Sequence, residues 1–214
     1  TNFCLHFKLV TGRIGQVFRD DEFRWYLGLI ALFFVPTTAI LLMDNTPFFQ
    51  ALEDSLFTVI SLMTTTGYAT ADFEIWPLST KGAIILLLIM GGMAGSTGGG
   101  VKTLRTLLTF RALRTAFQKM EHPHAVRPVV YKGRPVPTDV LAAIWGFFAS
   151  YIVLAIIGMM IINWHGHDLV TSWSASLTAL GNVGPGLAEV GPTNNFAWMA
   201  PQNKIVLSGL MLCG

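Results

Sequence analysis

Apolar residues are gathered into blocks along this chain. Two runs, Trp25–Met43 and Val140–Asn163, are long enough to cross a bilayer, which takes about 20 residues. Each is followed by a shorter stretch, Phe48–Thr64 and Thr171–Leu180, too short to cross. Each short stretch runs into small, polar and glycine residues: SLMTTTGYATA at Ser61–Ala71 and LTALGNVGPGL at Leu177–Leu187. Another apolar run then follows, opening near Lys81 and near Lys204. Aligning Gly67 with Gly184, a shift of 117, puts Ser55 on Ser172 and Leu62 on Ala179. The chain therefore reads as two copies of one unit: apolar helix, short helix, glycine turn, apolar helix.

Local signals refine the elements. Asp20 or Asp21 is placed to cap the first long helix, and Pro36 inside it predicts a kink. Thr46-Pro47 reads as a hydroxyl cap followed by proline at the first helical position, and Thr138 or Asp139 as the cap of the second long helix. The helix opening at Lys81 meets Gly91–Gly100, where six of ten residues are glycine. Each glycine costs roughly 1 kcal/mol in a helix relative to alanine, so helix is expected to resume only near Val101. His165–Thr171 reads as a loop.

Composition changes the picture. With 52% hydrophobic and 12% charged residues, the chain carries about half the charge usual for soluble domains, which indicates an integral membrane protein. The net charge of +2 says little, but its distribution is informative. Lys102–Arg134 holds eight basic residues and one acid, Glu121. The positive-inside rule places that side in the cytoplasm. Asp44–Thr80 has no Lys or Arg and carries Asp44, Glu53, Asp54, Asp72 and Glu74, while Asn163–Asn203 also lacks Lys and Arg and carries Asp168 and Glu189. Both units thus point the same way. Thr1–Gln16 does not read as a signal peptide. Without an initiator Met, and with a last apolar run cut short at Gly214, the chain is expected to be a piece of a longer one. Cys4 and Cys213 read as inert packing residues.

The candidate chemistry lies in the two glycine turns. A short helix aimed into a membrane places its negative end near the centre. Extended backbone beyond it can turn carbonyl oxygens toward an axis, replacing an ion's hydration shell. The candidates are Thr65, Thr66, Gly67 and Tyr68 in the first unit, and Asn182, Val183, Gly184 and Pro185 in the second. Plain interhelical turns would explain the glycines, but not a repeated, non-spanning helix with an acidic mouth. The five acids of the first mouth read either as a cation-concentrating funnel or as a solvated surface. GSTGGGVKT is not a phosphate-binding loop, because Val101 separates the last glycine from Lys102-Thr103 and no strand precedes it. His122, His124, His165 and His167 read as loop histidines, not metal ligands.

The TTTGYAT, GGMAGSTGGGVKT and LGNVGPG segments together resemble the Trk/Ktr/HKT superfamily of potassium transporters, in particular its bacterial TrkH branch. The resemblance covers nearly the whole chain. It implies an all-α integral membrane fold of tandem helix–pore-loop–helix repeats of potassium-channel type, four in a complete chain. Residues 1–23 would close the preceding repeat and form a cytoplasmic loop. Residues 24–120 would be the third repeat, with a glycine-broken second helix, 121–137 a cytoplasmic linker, and 138–214 a truncated fourth repeat. Potassium would be held by Thr65, Thr66, Gly67, Asn182, Val183 and Gly184. Gly91, Gly92, Gly95, Ser96, Thr97, Gly98, Gly99 and Gly100 would form an intramembrane gating loop. The resemblance further implies a multi-pass protein of the bacterial inner (plasma) membrane in contact with lipid, a homodimer, and a cytosolic nucleotide-binding regulatory subunit of TrkA type. No cofactor and no nucleic acid enter this reading; potassium is the substrate.

Two rivals remain in view. A secondary transporter of another cation, with broken helices at the midplane, predicts inverted units, whereas the charge pattern gives both units one orientation. A membrane-embedded enzyme would need a buried nucleophile and base, or a metal, and no spanning run contains His, Asp or Glu.

Overall fold

A computed structural model of the protein describes residues 2–121 and 128–214. His122, His124 and Arg127 lie outside the described residues. Two short helices, α1 (Phe3–Val10) and α2 (Ile14–Phe18), lead into the long α3 (Asp21–Met43). Of the two acids placed to cap α3, Asp20 does so. Its Oδ1 accepts from the backbone N–H of Glu22 at 3.1 Å and of Phe23 at 3.3 Å, satisfying donors that a helix start leaves unpaired.

Pro36 lies inside α3. Two residues on, the Thr38 hydroxyl reaches back to the Phe34 carbonyl at 2.8 Å and across to Ser55 at 2.6 Å. Ser55 is fully buried on the short helix α4 (Phe48–Met63), so this hydroxyl pair ties the short helix to the long one. Thr46 does not cap α4. Pro47 itself occupies the cap position in extended conformation, which leaves Thr46 one residue too far out. The same shift occurs at α7 (Thr138–Trp164), where Pro137 holds the cap position. Thr138 and Asp139 then fall inside the first turn, where the Asp139 carboxylate suits the positive helix end.

Helix α5 (Leu78–Ile89) begins three residues before Lys81 and stops ahead of the glycine run. Residues 91–100 are non-helical, and α6 (Thr103–Glu121) resumes just past Val101. The neck of this loop is stapled. The Gly91 N–H donates to the Val101 carbonyl at 2.9 Å, Val101 to Ile89 at 3.0 Å, and Thr103 to Gly92 at 3.1 Å. Between α6 and α7 stands a small antiparallel hairpin, β1 (Val130–Tyr131) and β2 (Arg134–Pro135). The second half continues with α8 (Leu169–Gly181), a 3-10 turn at Ala188–Val190, and α9 (Pro201–Cys213).

Among the described residues, α3 and α7 are long and apolar enough to cross a membrane. On α7 the large apolar residues Trp145, Val153, Ile157 and Met160 are exposed. Helix α8 is the opposite case: ten of its 13 residues are buried. It packs on α7, α9 and α5, and its start is capped by Asp168, which accepts from Val170 and Thr171. The centre of the molecule is thus a short helix rich in small residues, with α7, α9 and α5 around it.

Candidate functional site

The ends of α4 and α8 share a set of hydrogen bonds. In the first, the Thr66 N–H donates to the Ser61 carbonyl at 2.9 Å, and Thr65 N–H to Leu62 at 3.0 Å. In the second, Val183 N–H donates to Thr178 at 3.0 Å, and Asn182 N–H to Ala179 at 3.1 Å. Every one of these positions is related by the shift of 117 seen in the sequence. The side chains follow the same rule. The Ser61 hydroxyl donates to the Tyr68 carbonyl at 2.6 Å, and the Thr178 hydroxyl to the Pro185 carbonyl at 3.0 Å. Backbone conformation repeats as well. Thr65 and Asn182 are left-handed at φ 55° and 52°, and Gly67 and Gly184 have φ 74° and 116°. Two left-handed residues flanking one ordinary residue turn the chain sharply out of the helix, and the second of them must be free of the Cβ penalty.

The carbonyls divide into two sets. Those of Tyr68 and Pro185 are tied down by hydroxyls. Those of Thr65, Thr66, Gly67, Asn182, Val183 and Gly184 accept no hydrogen bond among the described residues. Unpaired carbonyls in a non-polar molecule are expensive unless water or an ion satisfies them. The two segments also meet: a Cβ built on Gly67 would stand 1.9 Å from the Val183 carbonyl oxygen and 3.0 Å from Cδ of Pro185. Tyr68, by contrast, is 74% exposed and its ring takes no part in the junction.

The glycine loop presses against the ends of both short helices. The Gly99 N–H donates to the Thr65 hydroxyl at 3.2 Å. A Cβ on Gly98 would lie 2.7 Å from that same hydroxyl, and one on Gly99 2.4 Å from the Gly181 carbonyl. At Gly99 glycine is therefore required by close approach of backbone to backbone, and at Gly98 the close neighbour is a side-chain hydroxyl. Lys102, at the loop's exit, turns its ammonium back onto the carbonyls of Ser96 and Gly98. Gly92 is held by the neck, while Gly95 and Gly100 have positive φ. Thr97 is exposed.

The acids of the first mouth separate into two roles. Glu74 forms an ion pair with Lys81, and its second oxygen accepts the Ala188 N–H of the other unit at 2.7 Å. Asp72 caps Glu74 N–H at 3.0 Å and accepts from Thr193 at 3.2 Å. These two residues join the units on the side where α4 begins. Asp44 and Asp54, with Asp72, line an open cavity of about 340 Å³. His165 Nδ1 lies 2.9 Å from the Ile161 carbonyl, whereas His167 faces Glu189 at 3.7 Å and packs edge-on against Trp198. The two loop histidines thus turn to separate partners.

The structure adds residues that sequence patterns did not single out. Ser61 and Thr178 clamp the two turns; their signal was present, since both are hydroxyl residues 117 apart. Glu22, buried at the start of α3, accepts the Ala94 N–H of the glycine loop at 2.6 Å. No spacing rule marks that contact, which spans 72 residues.

Comparison with known proteins bears on this arrangement. The family model described as TrkH, cation transport protein, matches residues 26–214. The chain is 36% identical over its full length to the Trk system potassium uptake protein TrkH of Salmonella typhimurium, of which it covers 44%. It is 32% identical to the Trk system potassium uptake protein TrkI of Halomonas elongata, covering 43% of that protein. Its fold is similar to the crystal structure of the potassium transporter TrkH from Vibrio parahaemolyticus, with a TM-score of 0.91 and 33% identity, over the whole of this chain and 46% of that one. The chain spans less than half the length of each of these relatives.

Proposed function

Because the chain belongs to the TrkH family of cation transport proteins, we propose that it supplies two of the pore segments of a potassium transporter. The observation that carries this reading is the matched pair of turns after α4 and α8, whose carbonyls at Thr65–Gly67 and Asn182–Gly184 accept no hydrogen bond among the described residues. Carbonyl oxygens held in place by a rigid scaffold can replace the water around a desolvated cation without reorganising. Ser61 and Thr178 supply that scaffold. In this reading, 24–120 and 138–214 are successive helix–pore-loop–helix repeats of one orientation, and 121–137 is a cytoplasmic linker. The remaining length of the relatives provides the other side of the pore.

The loop Gly91–Gly100 would then lie across the ion path on the cytoplasmic side of the filter. Its contacts with Thr65 and Gly181 support that assignment, as does the ammonium of Lys102 held among its carbonyls. The protein would reside as a multi-pass homodimer in the bacterial inner membrane. Its basic segment, Lys102 to Arg134, would lie on the side that meets a cytosolic nucleotide-binding subunit like TrkA. No covalent chemistry is called for. The test is rubidium and sodium uptake by vesicles holding the full-length transporter, with Gly67→Ser and Gly184→Ser variants. Loss of rubidium preference is expected; an unaltered preference in both variants would sink the filter assignment.

A further inference from the structure

Three consecutive acids at the start of α3 each bond a different element. Asp20 Oδ2 pairs with Lys132 Nζ, in the turn of the β1–β2 hairpin, at 2.8 Å. Asp21 Oδ2 pairs with Arg111 Nη2 of α6 at 2.8 Å, and the same guanidinium donates from Nη1 to the Val130 carbonyl of the hairpin at 2.7 Å. Glu22 Oε1 accepts the Ala94 N–H in the middle of the glycine loop at 2.6 Å. Glu22 is 3% exposed. A carboxylate so buried persists only where donors satisfy it. The Ala94 bond is the one hydrogen bond between residues 91–100 and α3 among the described residues.

The three acids are carried by one stretch of backbone. They form the cap and first turn of one helix, where backbone bonds fix their relative positions. The hairpin and α6 hold two of them, and the third holds the loop. The hairpin end is the more open to solvent: the Lys132 side chain is 53% exposed, against 31% for Arg111 and 34% for Asp21.

We propose that Glu22 is a positioning residue for the glycine loop, and that Asp20 and Asp21 set its place by anchoring the start of α3 to the hairpin and α6. Displacing the hairpin then reaches the loop through three neighbouring side chains. The effect on ion flux rests on the reading of Gly91–Gly100 as a gate; the effect on loop position does not.

The experiment uses the full-length transporter in vesicles, otherwise free of cysteine, with Thr97→Cys as a reporter on the loop. The rate of its modification by a methanethiosulfonate reagent is read beside rubidium flux. Glu22→Ala, which strands the Ala94 N–H, is expected to raise the modification rate about tenfold. Glu22→Gln keeps an acceptor oxygen and is expected to restore a rate near that of the parent. Lys132→Glu, which replaces the ion pair with Asp20 by a repulsion, is expected to raise the rate roughly threefold. In the Glu22→Ala background, Lys132→Glu should add nothing. An unchanged rate in Glu22→Ala overturns the proposal, and so does a full additional increase from Lys132→Glu in that background. If the loop responds and flux does not, the positioning role stands and the gate reading falls.

Discussion

Gly67 and Val183 touch backbone to backbone across the junction of the two repeated units. A Cβ on Gly67 would stand 1.9 Å from the Val183 carbonyl oxygen, and its φ of 74° disfavours any side chain in addition. Gly184, its counterpart, has φ 116° but open space where a Cβ would go. The two glycines are equivalent by sequence shift and unequal in surroundings. Gly67→Ala must therefore both strain its own backbone and push the Val183 carbonyl out of line, whereas Gly184→Ala incurs the backbone cost alone. A left-handed residue with a Cβ costs about 1–2 kcal/mol, and the displaced carbonyl adds to that at Gly67. Rubidium-over-sodium preference in vesicle uptake is expected to drop at least tenfold in Gly67→Ala and only severalfold in Gly184→Ala. The reverse order would contradict the close approach.

The hydroxyl clamps allow a similar comparison. Ser61 donates to one carbonyl, that of Tyr68. Thr178 donates to Pro185 and also accepts the Gly184 N–H at 2.9 Å. Ser61→Ala strands one backbone group and Thr178→Val strands two. At about 1 kcal/mol or more for each group left unpaired, Thr178→Val should lose roughly twice as much stability. The shift in thermal denaturation of the purified transporter in detergent measures this, and equal shifts would argue against the double role of Thr178.

Much of this arrangement was legible in the sequence because membranes leave few options. Backbone groups must be satisfied internally, so long apolar runs announced α3 and α7, and six glycines in ten residues announced the break before α6. The repeat by 117 residues placed Gly67 and Gly184 at the same point of the same turn. What stayed hidden was of two kinds. The helix starts at Pro47 and Pro137 moved by one residue, because proline accepts an extended cap position as readily as a first helical one. Contacts between distant segments, such as Glu22 with Ala94 or Glu74 with Ala188, depend on how units pack. The acids at 72 and 74 looked like a charged rim, and the structure spends both on joining the two units.

Gly99 is the tightest point between the glycine loop and α8. A Cβ there would lie 2.4 Å from the Gly181 carbonyl, a backbone atom that cannot swing aside. Gly99→Ala must move the loop away from the helix ends, while the turns after α4 and α8 keep their own clamps at Ser61 and Thr178. Rubidium flux is expected to rise severalfold with the rubidium-to-sodium ratio unchanged. A changed ratio would mean that the loop shapes the filter, and an unchanged flux would remove the loop from the ion path.

The hairpin clamp carries a defined pH dependence. Burial pushes the Asp20 carboxyl up, but the hydrogen bond and charge of Lys132, with the N–H groups of Phe23 and Glu22, outweigh it and hold Asp20 below its ordinary value. Lys132 is raised above its own, chiefly by the bond to Asp20. A depressed carboxyl contributes stability that is fully present above its unfolded pKa, near 3.9 for aspartate, and that is lost as pH falls through the folded value. A raised ammonium contributes stability present below its unfolded pKa, near 10.4, and lost as pH rises through the folded value. The pair should therefore act at constant strength between about pH 5 and pH 9. Lys132→Met is expected to lower the thermal midpoint by a constant amount across that range. Below about pH 4 the difference between parent and variant should shrink, as Asp20 takes up its proton in both. A difference that closed already near pH 6 would place a histidine, and not Asp20, at the other end of the clamp.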